Sequence, residues 1–264
     1  RQFSQADSVA VEEPLEIQLC SASAHDSAAK SISITMRTPG DDAELAVGFL
    51  FTEAIIASAS QIASVQHCGE PAPDSGFRNV IRVELEAGVQ VDLGRLERHF
   101  YTTSSCGVCG KSSLDALRVG GQRPLTDVTT RFSREALVRL PDDLRKDQEI
   151  FSKTGGLHAA AVFSPDGEIT LVREDIGRHN AVDKVVGALL MANRLPALGF
   201  GLLVSGRASF ELMQKALVAG LPLLAAVGAP SSLAVSLAKE FDMTLIGFLR
   251  QGNFNIYSGA ERLD

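Results

Sequence analysis

The chain has 264 residues, 45% of them hydrophobic, enough for a sizeable core in one large or two smaller domains. Its formal net charge of −7, with no basic run, argues against nucleic-acid binding, where phosphate contacts dominate affinity. Four cysteines (Cys20, Cys68, Cys106 and Cys109) are too few for a disulfide scaffold, and no signal segment is evident, so a reducing, cytoplasmic setting is expected.

Residues 15–20 and 31–36 alternate like half-buried strands. The turn Thr38-Pro-Gly-Asp-Asp42 leads into apolar residues at helical spacing over 43–56. Two further strands are predicted over 62–67 and 80–85, separated by a Gly- and Pro-rich loop at 69–76. A polar loop carrying Cys106-Gly-Val-Cys109 follows, with a short helix beginning near Ser112. Residues 133–152 read as polar helix broken at Pro141, a connector between two halves. Strands at 159–163 and 169–172 are joined by the hairpin signal Pro165-Asp-Gly167. Helices and strands then alternate: helix 179–193, strand 201–204, helix 209–218, strand 223–227, helix 232–239 and strand 243–248. Such alternation predicts an α/β layer with parallel strands, and 254–257 is expected as a final edge strand. The uncharged stretch 216–238 is long enough for a membrane span, but Gly220-Leu-Pro222 and Gly228-Ala-Pro-Ser-Ser232 divide it into a helix end, a buried strand and a helix start. No membrane span is expected.

Three strand-to-helix junctions carry unusual chemistry: Glu174-Asp-Ile-Gly-Arg-His-Asn180, Ser205-Gly-Arg-Ala-Ser209 and Gly228-Ala-Pro-Ser-Ser232. Each has a Gly where the backbone must turn or approach something closely. In an open parallel sheet they would gather on the carboxyl edge of the strands, where ligands bind. Helix N-termini attract anions and Arg178 and Arg207 add positive charge, so the inferred ligand is phosphorylated, plausibly a nucleotide. Ordinary helix capping by the serines is the competing reading. No strand leads into Gly-x-Gly-x-x-Gly, and the phosphate-loop-like Gly110-Lys-Ser112 has Ser105 where its upstream Gly belongs. In Thr154-Gly-Gly-Leu-His158 the Gly pair fits either close backbone approach or a plain turn into a strand. Asp183 is a candidate ligand contact and Lys184 reads as a solvated charge.

The Cys106/Cys109 pair has three conceivable uses. A structural zinc site needs four ligands and only two are supplied at close spacing, so no metal is expected. A dithiol redox couple normally opens a helix in a compact βαβ setting, whereas here the flanks are Ser and Gly. A sulfur carrier needs an accessible thiolate on a loop able to visit donor and acceptor; Gly107 and Gly110 allow the movement, and Arg98, His99 and Lys111 could favour the thiolate. The second thiol is a hazard to that role, because it could discharge a neighbouring persulfide.

Taken together, Ser104-Ser-Cys-Gly-Val-Cys-Gly-Lys111, Thr154-Gly-Gly-Leu-His-Ala159, the 174–184 segment, Ser205-Gly-Arg-Ala-Ser-Phe-Glu211, Gly228-Ala-Pro-Ser-Ser232 and 248–257 resemble the FdhD family, the formate dehydrogenase accessory sulfurtransferases. The resemblance covers most of the chain after Thr38. It implies an α/β protein: an N-terminal mainly-β part with one helix (1–132), and a C-terminal three-layer α/β domain (133–264) similar to a cytidine-deaminase-like fold. It implies that Cys106 carries persulfide sulfur from a cysteine desulfurase to the molybdenum bis(molybdopterin guanine dinucleotide) cofactor of formate dehydrogenase, with Cys109 auxiliary. It places cofactor binding at Phe248, Leu249, Arg250, Gln251, Gly252 and Asn253. The proposed contacts Arg178, His179, Ser205, Gly206 and Arg207 would then meet the guanine nucleotide and pyrophosphate, for which a GDP-like nucleotide is a possible mimic. A homodimer is also implied. The alternatives are a non-catalytic cofactor-binding chaperone and a dithiol oxidoreductase.

Overall fold

The computed structural model describes residues 7–21, 29–91, 122–250 and 252–264. Cys106, Cys109, the expected helix near Ser112 and Gln251 lie outside them.

The first sheet is built from β1 (Glu13–Ser21), β2 (Lys30–Arg37), β3 (Ile62–Cys68) and β4 (Val80–Leu85) in the order β2-β1-β4-β3. Strand periodicity puts Leu15, Ile17, Leu19, Ile81 and Val83 on one face, and there they bury against Leu45, Ala46, Val47 and Leu50 of α1 (Asp42–Thr52). The opposite face carries Glu16, Gln18, Arg82 and Glu84.

The second sheet has six strands: β5 (His158–Phe163), β6 (Ile169–Asp175), β7 (Gly201–Val204), β8 (Leu223–Ala226), β9 (Thr244–Arg250) and β10 (Asn253–Ser258). Their order is β10-β9-β8-β7-β5-β6. The expected parallel run is present from β7 to β9, but β5 is inserted antiparallel between β6 and β7, and β10 closes the edge antiparallel to β9. Strands β7 and β8 are buried along their whole length, which explains their unbroken apolar sequence. One face takes α4 (Arg178–Met191), α5 (Phe210–Val218) and α6 (Ser232–Glu240), which pack on Val162, Leu202, Leu224 and Leu245. The alternate residues Ala161, Leu203, Ala225 and Ile246 face α2 (Arg134–Asp147). The result is the expected three layers, with α3 (Glu149–Thr154) leading from α2 into β5.

The segment 133–152 is therefore no connector. Helix α2 runs through Pro141, Ser133 caps it by accepting from the Ala136 N–H (3.2 Å), and Leu137, Leu140 and Leu144 form its buried face. Proline removes one backbone donor, but this apolar stripe outweighs the loss. Residues 216–238 form the end of α5, all of β8 and the start of α6, and no helix among the described residues is long and apolar enough to cross a membrane.

The first sheet reaches the second through α1 crossing α4. A Cβ added to Gly48 would lie 1.8 Å from the Asp183 carbonyl oxygen, and one on Gly187 would lie 1.9 Å from that of Glu44. The two helices meet backbone to backbone, and only glycine fits at either point.

Candidate functional site

The antiparallel insertion of β5 assembles the site. Because β5 runs against its neighbours, His158 at its start pairs with Asp175 at the end of β6 and lies beside the carboxyl end of β7. The turns after β6, β7, β8 and β9 therefore meet on one edge, as the junction chemistry predicted.

The edge is stitched together by backbone bonds. The Gly228 N–H donates to the Gly206 carbonyl (2.9 Å), and the Phe248 N–H donates to the Gly228 carbonyl (3.0 Å). A Cβ at Gly228 would come within 2.9 Å of the Gly206 oxygen, so glycine is required here for close approach. At Gly206 a Cβ would sit 3.4 Å from His158 Nδ1 and 4.0 Å from Arg178 Cδ, which places the His158 ring and the Arg178 side chain over the same small residue. Phe248 has φ 54°, in the left-handed region. Such strain in an aromatic residue costs on the order of 1–3 kcal/mol and concentrates at functional turns. Arg250 lies over its ring at 5.6 Å.

Not every expected contact presents a free side chain. The Ser205 hydroxyl accepts from the Ala159 N–H (2.9 Å), ending the β5–β7 ladder. Ser231 does cap α6 (Ala234 N–H to Oγ, 3.2 Å), so capping accounts for the serine of the third junction. Ser209 sits at the N-cap of α5 without a side-chain cap bond. Leu249 is fully buried in the sheet core, which leaves only its backbone for a ligand. Arg207 and Arg250 are exposed, and Gly252, with φ 76°, forms the β9–β10 hairpin tip beside Asn253.

The 174–184 segment proves to be largely scaffold. Asp175, fully buried, accepts from the Gly177 N–H (2.8 Å), Asn180 Nδ2 (2.9 Å) and the Thr38 N–H (3.2 Å), and pairs with Lys184 at 2.8 Å. Lys184 is thus no solvated charge: it also donates to the Thr38 and Glu174 carbonyls (3.0 and 3.2 Å). Asp183 is no ligand contact either, since it accepts from Thr52 Oγ1 (2.8 Å) and pairs with buried Lys215 (2.9 Å). Burial opposes the Lys215 charge, but Asp183 and Glu53 outweigh it and raise the ammonium pKa. Sequence reading missed the hub role of Asp175, which ties its own turn and α4 to Thr38 of a distant turn.

Arg178 and His179, both partly buried, stand apart from this network. Among the described residues, Arg178 Nε and His179 Nε2 are buried atoms with no hydrogen-bond partner. Burial lowers the His179 pKa to about 4, and the positive charges of Arg178 and Lys215 add to the effect against Glu211 and Glu53. Burial, then Arg178, lowers that of His158 in the same direction, with Asp175 opposing. Both imidazoles are therefore neutral near pH 7, and the positive charge of the edge rests on arginine. The arrangement suits a phosphate-bearing ligand: guanidinium donors, two neutral rings able to donate or accept, and glycine turns permitting close approach.

The depressed pKa of His179 has a measurable consequence. The unfolded imidazole takes its proton near pH 6.5 but the folded one only near 4. Stability from the neutral ring is full above pH 6.5 and is lost as pH falls toward 4, by on the order of 2 kcal/mol after allowing for partial solvent screening. Urea unfolding across this window should show a flatter pH dependence for His179→Asn than for the parent. Equal slopes would overturn the assignment.

The model of the FdhD/NarQ family matches residues 10–264. The chain belongs to the FdhD/NarQ family. Its relatives include the sulfur carrier protein FdhD of Streptomyces coelicolor, 52% identical over 97% of this chain and 89% of that protein. The FdhD of Mycolicibacterium paratuberculosis is 51% identical, covering 99% and 93%, and that of Sulfurisphaera tokodaii is 42% identical, covering 97% and 92%. A crystal structure from Desulfotalea psychrophila, described as that of a candidate formate dehydrogenase accessory protein, superposes with a TM-score of 0.71 at 24% identity, over 98% of this chain and 91% of that one. At that identity the match speaks to the FdhD/NarQ fold alone.

Proposed function

We propose that this chain is a sulfur carrier serving formate dehydrogenase. The Cys106 thiolate attacks the outer sulfur of a persulfide on a cysteine desulfurase. A new S–S bond forms on Cys106, the donor's S–S bond breaks, and the donor leaves as its thiolate. The acceptor substrate is the molybdenum bis(molybdopterin guanine dinucleotide) cofactor, held at the carboxyl edge. There Arg178 and Arg207 would meet its phosphates, and His158 and His179 would hydrogen-bond as neutral rings. Relatives across nearly the full length bear the name sulfur carrier protein FdhD, which supports the carrier role. The observation that favours a bound anion is the pair of buried, unpartnered nitrogens on Arg178 and His179, with the Arg178 side chain beside the Gly206 turn.

The experiment is incubation with a cysteine desulfurase and cysteine, followed by mass spectrometry. The peptide containing Cys106 should gain the mass of one sulfur atom, Cys106→Ala should gain none, and formate dehydrogenase matured with that variant should be inactive. Full formate dehydrogenase activity with Cys106→Ala would instead establish a non-catalytic cofactor-binding chaperone. A ligand that binds only the native state raises its melting temperature. GDP should therefore protect against thermal unfolding, and equal protection by ADP would remove the guanine assignment.

A further inference from the structure

A second concave site lies on the 37–42 turn, next to the turn after β6 that Thr38 braces, and none of the proposed cofactor contacts lines it. The turn between β2 and α1 (37–42), the end of β3, the β3–β4 loop, the segment 9–11 and α3 line an open concavity of about 690 Å³. That is a size typical of small-molecule sites. Eight large apolar side chains are exposed among the described residues, and four of them line this one cavity: Val9, Val11, Phe77 and Ile150. Scattered exposed apolar groups are ordinary, but such a concentration marks a binding surface.

The polar wall of the cavity is organised. Arg37, 1% exposed, grips Asp42 with two bonds, Nε to Oδ1 (3.0 Å) and NH2 to Oδ2 (2.9 Å). His67 Nε2 lies 3.4 Å from the same Asp42 Oδ2 and leaves the other ring nitrogen uncommitted by that contact. Asp41 is within 3.5 Å of Arg173, outside the cavity. Arg78 spends one nitrogen on the Gly69 carbonyl (2.7 Å). The two carboxylates of the wall are thus each matched by a guanidinium, and Arg78 and the His67 ring are further donors among the lining. An apolar floor beside the Arg78 guanidinium and the His67 ring fits an amphipathic anion.

The geometry points to a binding site for a small organic anion, an aromatic or branched aliphatic carboxylate whose body lies on Phe77, Ile150 and Val11 and whose carboxylate meets Arg78 and His67. The site goes beyond the sulfur-carrier reading. It is nevertheless continuous with that scaffold, because Thr38, one of its lining residues, bonds Asp175.

The test uses 4-phenylbutyrate and its cationic counterpart 4-phenylbutylamine, followed by ligand-detected NMR and by the ring shifts of His67. A probe of about 12 non-hydrogen atoms should bind with millimolar affinity at ordinary ligand efficiency. Arg78→Ala and His67→Gln should each weaken it roughly tenfold through loss of a charge-assisted bond, and Ile150→Glu should abolish it. These three side chains are exposed, so far-UV circular dichroism should remain that of the parent in each variant. The proposal falls if the amine binds as tightly as the acid, if the variants keep full affinity, or if 4-phenylbutyrate leaves the His67 ring unmoved up to its solubility.

Discussion

Asp175→Ala is expected to lower the unfolding free energy by about 3–5 kcal/mol, the usual cost of stranding one member of a buried ion pair. Asp175 is fully buried and Lys184 only 1% exposed, so neither charge has water to fall back on. Truncation would leave the ammonium with two carbonyls as its partners among the described residues. It would also release the Gly177 and Thr38 N–H groups and Asn180 Nδ2 at once. Lys184→Met should be milder, because the carboxylate keeps those three donors. Equilibrium urea unfolding measures both variants. A loss below about 1 kcal/mol, the range of a surface pair, would show that the hub is not what holds this turn. The same substitution should reduce GDP protection, because the freed turn carries Arg178 and His179.

Gly48→Ala should destabilise by about 2–4 kcal/mol, although alanine is the better helix former by about 1 kcal/mol. Propensity loses here because the new methyl would sit 1.8 Å from the Asp183 carbonyl oxygen, and 2.7 Å from its carbon. That atom is backbone, so no rotamer change relieves it, and α1 must slide along α4. Overpacking of this kind costs a few kcal/mol. Gly187→Ala should behave alike, since its Cβ would strike the Glu44 oxygen at 1.9 Å. As a control, Gly199→Ala, with nothing within 4 Å of the new Cβ, should be near neutral. Chemical denaturation of the three variants decides it, and a neutral or stabilised Gly48→Ala would refute the close crossing.

The strands and most helices were legible because their burial is regular. Strand β8, Leu223–Ala226, is apolar throughout and buried throughout. The expectation failed where polarity and position point in opposite directions. Residues 133–152 look solvated by composition, yet the spacing of Leu137, Leu140 and Leu144 marks one buried stripe. Lys184 looks solvated because lysine usually is; its counter-charge lies nine positions away and one of its carbonyl partners, Thr38, lies 146 positions away. Ser205 looked like a cap or a ligand contact and is instead a ladder terminus, which only the placement of Ala159 beside it reveals.

By itself the sequence determined the α/β class, the three glycine junctions and the family, because periodicity and motif order are written locally along the chain. It also singled out Cys106 and Cys109 as the thiols in a polar loop. The tertiary structure decided which residues of those motifs are scaffold and which stay out of its hydrogen bonds. Asp175, Asp183 and Lys184 turned inward because buried charges must find partners. Arg178 and His179 were left at the edge with nitrogens unpaired among the described residues. That division rests in part on contacts between distant segments, Thr38 with Asp175 and Thr52 with Asp183, and no local pattern records them.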